Sequence, residues 1–207
     1  MKKFTKMWAI AACALFAGTA AVNAEDYTWK FVTAGDATTY AIRSDGSLWS
    51  WGWNEKGQGG NGVSERTATP TLADGNRVWK KAVGGKAYGF FLAEDGSLWA
   101  AGTHEGGVQG TNDGIDHKVL TRIGTDNDWA DMACSRFWGY SGFAIKTNGT
   151  LWAWGKNSAG QLGIGNTQAQ TAPVQVGADM DWKQVAAGCS SVLALKTDGS
   201  LWGWGFN

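Results

Sequence analysis

The C-terminal part of the chain shows its hydrophobic pattern most plainly. Val185-Ala186-Ala187-Gly188, Val192-Leu193-Ala194-Leu195-Lys196 and Leu201-Trp202-Gly203-Trp204 are short apolar runs divided by glycine or by Asp198-Gly199. Runs of this length predict strands, and an Asp-Gly pair between two of them predicts a hairpin. The phrase Leu-Trp-x-Trp is apolar at both parities, as in Leu48-Trp49-Ser50-Trp51 and Leu151-Trp152-Ala153-Trp154. A sheet with one wet face would alternate, so both faces of these strands are expected to be covered. On that reading Trp49, Trp99 and Trp152 are buried between neighbouring sheets.

The pattern repeats. Asp45-Gly46-Ser47-Leu48-Trp49 returns at Asp95, as Asn148-Gly149-Thr150-Leu151-Trp152, and again at Asp198, with first residues 50, 53 and 50 positions apart. Trp29, Trp79, Trp129 and Trp182 keep the same phase, and Pro70 and Pro173 each stand nine residues before one of them. A period near fifty predicts a stack of similar units, each unable to bury its apolar faces alone. The chain holds three complete units, 29–78, 79–128 and 129–181, and the first part of a fourth, 182–207. With 31 glycines and two prolines in 207 residues, tight turns are expected and long helices are not. The predicted class is all-β, with the units as β-propeller blades that cover one another's faces, here an incomplete set of about 3.5.

At these residues the chain resembles a known family. The phrase from Asn148 to Gly165, NGTLWAWGKNSAGQLGIG, and its near copy from Asp45 to Gly62 resemble the repeat of the RCC1-like (regulator of chromosome condensation) β-propellers. The resemblance covers residues 29–207 and implies a β-propeller of four-stranded blades around an axis, usually seven. Seven units would need roughly 350 residues at this period, so the chain is expected to be an N-terminal fragment of a longer reading frame; the alternative is that two copies associate to close a ring. Unit two departs from the phrase at Ala101–Gly110, and unit three carries three extra residues placed within Arg136–Gly142.

The first residues add a compartment. Lys2, Lys3 and Lys6, the apolar stretch 7–17 and Val22-Asn23-Ala24 have the layout of a secretory signal cleaved after Ala24. A lipoprotein box at Cys13 is the second reading. The apolar segment is shorter than the roughly 20 residues of a membrane span. Cleavage removes three lysines and no acid from a chain whose 18 basic and 18 acidic residues balance, which leaves a charge of −3. No basic excess remains to hold nucleic acid. Residues 25–207 then form one propeller domain, secreted, periplasmic or at the cell surface. Its Cys134 and Cys189 follow Trp129 and Trp182 by five and seven residues, which suggests a disulfide between adjacent units, or else two small buried hydrophobes.

Most tempting chemistry dissolves. The glycine-rich stretches 57–62 and 160–165 lack the Lys-Ser/Thr of a phosphate loop. His104 and His117 are the only histidines and gather no ligand set, so no metal, cofactor or catalytic residue is expected. Asp45, Asp95 and Asp198 read as turn formers. Eleven of the 14 tryptophans fall at repeat-phased positions and read as core. Outside that pattern stand Trp53, Trp138 beside Phe137 and Tyr140 in the insertion, and His104-Glu105 where the repeat has Asn-x. Trp53, His104, Glu105, Phe137, Trp138 and Tyr140 are therefore the candidate partner-binding residues, and alternating strand direction places the loops of units two and three on one rim, opposite the Asp-Gly turns. The expected function is a secreted, non-catalytic protein-binding propeller, as the resemblance implies for extracytoplasmic members, including some that inhibit β-lactamases. The alternative is a carbohydrate-binding or surface-attachment propeller with exposed aromatics stacked on sugars. Nucleotide exchange on a nuclear GTPase, which the name-giving member performs, is excluded by the export signal.

Overall fold

The computed structural model describes residues 28–206; the expected signal segment lies outside them. Four antiparallel sheets follow one another along the chain. Blade one comprises β1 (Trp29–Ala34), β2 (Thr38–Arg43), β3 (Leu48–Gly52) and β4 (Thr67–Asp74). Blade two comprises β5 (Trp79–Gly84), β6 (Tyr88–Ala93), β7 (Leu98–Gly102) and β8 (His117–Arg122). Blade three comprises β9 (Trp129–Cys134), β10 (Ser141–Lys146), β11 (Leu151–Gly155) and β12 (Gln170–Gln175). Blade four has three strands among the described residues, β13 (Trp182–Ala187), β14 (Ser191–Lys196) and β15 (Leu201–Gly205). The one helical element described is a three-residue 3-10 turn at Glu105–Gly107. Pro70 and Pro173 lie on outer strands β4 and β12, where a missing N–H costs the ladder least.

The strand β6 shows why both parities are apolar. Tyr88, Phe90 and Leu92 face blade three and join Trp129, Met132 and Trp154. Its alternate residues Phe91 and Ala93 face blade one and join Tyr40, Ile42 and Trp79. A third cluster, built on Phe143, Leu151, Val185 and Val192, fills the space between blades three and four. Blades two and three are thus each the filling of two interfaces, and each wholly buried Phe or Leu contributes about 1.5–3 kcal/mol. Tyrosines tie the blades as well. The Tyr88 hydroxyl donates to the Ser135 carbonyl at 2.6 Å.

Two expectations need correction. Trp49, Trp99 and Trp152 are half-buried, not sealed between blades. The reason is their polar edge: each indole Nε1–H donates to the hydroxyl two residues earlier, Ser47, Ser97 or Thr150, at 2.8–2.9 Å. That hydroxyl in turn donates to Asp45, Asp95 or Asn148 Oδ1 at 2.6–2.8 Å. The Asp-x-Ser-x-Trp spacing is a hydrogen-bond relay that holds the indole at the hairpin, near water. A cation covers it there: Arg43 lies over Trp49 and Trp29, Arg77 over Trp99, and Lys146 over both Trp129 and Trp152. The fully buried partner on β11 is the other tryptophan, Trp154. The cysteines do not form the suggested staple. Cys134 is a buried free thiol at the end of β9 and Cys189 an exposed one in the β13–β14 connection, because their two-residue offset from the marker tryptophans puts one on a strand and the other in a turn.

Candidate interaction surface at the loop end

In every blade the first and third strands run the same way, so the β1–β2 and β3–β4 connections and their equivalents emerge at one end. The Asp-Gly turns lie at the other. The first connection is three residues long in blades one, two and four, at 35–37, 85–87 and 188–190. In blade three it is six, Ser135–Tyr140. The insertion therefore sits in the short inner turn, and Ser141 and Gly142, at the end of the expected range, already belong to β10.

This loop touches all four blades. The Arg136 N–H donates to the Gly188 carbonyl of blade four at 3.3 Å. The Phe137 N–H points at Asp36 Oδ1 of blade one at 3.5 Å, and the Ser135 carbonyl accepts from Tyr88 of blade two. Gly139 is a close approach: a Cβ there would stand 2.1 Å from the Cys189 carbonyl oxygen. Phe137 (φ 52°) and Tyr140 (φ 44°) take the left-handed conformation, which costs a residue with a side chain about 1–2 kcal/mol. The loop is held in that shape by its neighbours, and it presents Phe137 and Trp138 at 61% and 60% exposure. Exposed aromatics on a strained loop mark a place where structure is retained for something other than packing.

Tyr140 behaves differently from its neighbours. It is 3% exposed, so it supports the surface instead of belonging to it. Its ring lies 6.3 Å from Trp138 in an edge-to-face arrangement and 5.9 Å from Tyr88. Burial pushes its phenol up to about 12, helped by a hydrogen bond and the charge from Glu105 and by the charge of Asp36. Strand direction places the loops of units two and three at one end.

His104 is exposed but engaged. Its N–H and its Nδ1 both meet Asp116 Oδ1, at 2.9 and 2.8 Å. Burial would raise the Asp116 carboxyl, but these bonds and Lys56 outweigh it and hold the group below its ordinary value. The pair does the work of the repeat's asparagine: in units one and three, buried Asn54 and Asn157 close the same loop by bonding Gly59 N–H and Leu162 N–H. A cleft of 80 Å³ beside His104 is lined by Gly107, Gln109 and Thr171, well below the roughly 300 Å³ of a small-molecule site. Trp53 is half-buried on the blade-one loop, its N–H bonded to the Ala37 carbonyl. Among the described residues no three His, Cys, Asp or Glu side chains are grouped to hold a metal.

Sequence reasoning missed Lys86 and Asp36. Lys86 places its ammonium 2.7 Å from the centroid of the Trp138 ring. Both residues sit in the three-residue turns shared by units one, two and four, and what meets them is the longer turn of unit three.

The comparisons agree with this architecture. The family model for the regulator of chromosome condensation (RCC1) repeat matches residues 45–92 and 148–195, and a second model of the same description matches 29–58. The ultraviolet-B receptor UVR8 of Arabidopsis thaliana is 30% identical over 163 residues, which are 77% of this chain and 37% of UVR8. Protein RCC2 of Homo sapiens is 27% identical over 150 residues, 71% of this chain and 19% of RCC2. The chain thus spans well under half the length of either relative. The crystal structures of human WBSCR16 and of Kap60 bound to yeast RCC1 (Prp20) both superpose with a TM-score of 0.75, at 21% and 23% identity, covering 86% and 87% of this chain and 47% and 44% of the matched chains.

Proposed function

Since the chain belongs to the RCC1 repeat family, we propose that it serves as a secreted, non-catalytic module that binds a protein partner at the loop end of its blades. The observation that carries this reading is the Ser135–Tyr140 loop, which holds Phe137 and Trp138 in water through strained backbone and contacts to four blades. Large aromatic side chains of this kind are the usual anchors of protein interfaces. Among similar proteins, yeast RCC1 has been seen bound to Kap60, and Prp20p is described with binding to Gsp1p and histones. Export rests on the signal pattern at 1–24.

The test is a pull-down from secreted extract with the chain and its Trp138→Ala variant, set beside a glycan array. Loss of a protein partner by Trp138→Ala, at about 2 kcal/mol of affinity for an anchor residue, with stability changed by less than about 0.5 kcal/mol, supports the reading. Glycan signal that depends on Trp138, or a partner indifferent to the substitution, overturns it. Mass analysis of the exported product should find a chain beginning at Glu25.

A further inference from the structure

The reading above leaves the chemistry of the partner open, and the charge held on the loop narrows it. The Lys86 ammonium stands 2.7 Å from the centroid of the Trp138 ring. Its turn is anchored on both sides: the Gly85 N–H donates to the Tyr88 carbonyl at 3.0 Å, and the Ala87 carbonyl accepts from the Thr103 N–H at 2.9 Å. Among the described residues no carboxylate pairs with this ammonium and no oxygen accepts from it. A π face attracts a cation from one side, so the N–H donors turned away from the ring are left to water. Two more unclaimed donors belong to the same loop. Arg136 is exposed and forms no ion pair among the described residues, and the Trp138 N–H meets no acceptor among them. Asp36 reaches the loop at the Phe137 N–H, at 3.5 Å, and pairs with neither cation.

We propose that the protein partner presents an aspartate or glutamate carboxylate to Lys86, beside an apolar side chain seated on Phe137 and Trp138. The proposal rests on the protein-binding reading and adds a sign to it. The ammonium need not leave the ring, because indole and carboxylate take opposite sides of it. Holding the lysine on Trp138 beforehand removes part of the rotamer freedom that a loose lysine would lose on binding. Docking also excludes water from the pair, which strengthens it over an open surface bridge. A partner bringing lysine or arginine to this spot would have to evict Lys86 or meet a like charge.

The experiment follows the Trp138 indole N–H by NMR, assigned through Trp138→Phe. The probe added to the chain is acetyl-Gly-Glu-Phe-Gly-amide, or its counterpart with glutamine or lysine in place of glutamate. The glutamate peptide should shift the signal saturably and bind about two- to fivefold tighter than the glutamine peptide, the change that corresponds to ~0.5–1 kcal/mol for an ion pair at a protein surface. The lysine peptide should bind no tighter than the glutamine peptide. Lys86→Met, which keeps the apolar stem, should abolish the preference for glutamate while the glutamine peptide binds as before, and Lys86→Arg should keep the preference. Equal affinity for glutamate and glutamine in wild type, a preference that survives Lys86→Met, or tighter binding of the lysine peptide overturns the proposal. So does an indole silent to all three peptides. The protein-binding reading fails separately, when Trp138→Ala leaves partner capture unchanged.

Discussion

Replacing Trp154 by alanine should be among the costlier single changes in this chain, and replacing its neighbour Trp152 should not. Trp154 is fully buried between blades two and three, with its ring 5.1 Å from Phe90 in an edge-to-face contact. Its Nε1–H donates to the Val108 carbonyl at 2.8 Å. The indole also occupies space that two glycines leave for it, since a Cβ on Gly142 or Gly110 would stand 2.3 or 2.9 Å from ring atoms. Truncation removes the transfer energy and leaves a cavity, together about 3–5 kcal/mol. The stranded Val108 carbonyl adds about 1 kcal/mol or more. Trp152 is half-buried, covered by Lys146 and the edge of Trp129 at 6.0 Å. Two thirds of a tryptophan's roughly 200 Å² at about 25 cal/mol per Å² gives about 3 kcal/mol, with no sealed cavity to add to it. Urea unfolding followed by far-ultraviolet circular dichroism measures both without relying on the mutated fluorophores, provided the slope with denaturant stays constant. A cost below about 1 kcal/mol for Trp154→Ala, or a larger one for Trp152→Ala, would refute the assignment of which tryptophan is core.

Two further outcomes follow from local geometry. Gly96 and Gly199 occupy equivalent hairpin turns at φ 78° and 88°, but a Cβ at Gly96 would lie 2.1 Å from the Asn127 carbonyl oxygen, whereas nothing described lies within 4 Å of one at Gly199. Gly199→Ala should therefore cost only the left-handed strain, about 1–2 kcal/mol, and Gly96→Ala clearly more; equal melting points would contradict this. Tyr140 holds its proton more tightly folded than unfolded, so its contribution is complete below about pH 10 and is lost as pH rises toward 12. The loss reaches about 3 kcal/mol, and the difference between wild type and Tyr140→Phe in alkaline unfolding isolates it from the lysines that titrate nearby; a difference independent of pH would show the phenol to be unperturbed.

The blades were legible because each hairpin is written locally: Asp-Gly between apolar runs needs no knowledge of distant residues. Burial of particular tryptophans was not. When both parities of a strand are apolar, alternation no longer says which side chain reaches the deeper interface, and the Ser97 hydroxyl that draws Trp99 toward the hairpin is visible only once the side chains are placed. His104 stood out as a partner-binding candidate because it broke the repeat. Its partner Asp116 lies 12 residues on, across a loop whose closure the sequence does not spell out. Tyr140 was grouped with Trp138 by proximity in the chain, yet its left-handed backbone turns it inward while Trp138 stays in water. Lys86 and Asp36 could not be found from their own units, since what distinguishes them is an insertion elsewhere.

That insertion also bears on how such a chain can change over generations. Most contacts between units join immediate neighbours through the same kinds of residues, so gaining or losing one fifty-residue unit by unequal recombination would reproduce interfaces that already exist. Phe137 is an exception, because its N–H looks past blade two to Asp36 in blade one. A unit duplicated or deleted between them would carry Asp36 out of reach of the loop. The copy number of the first three units is therefore tied to the survival of the Trp138 surface.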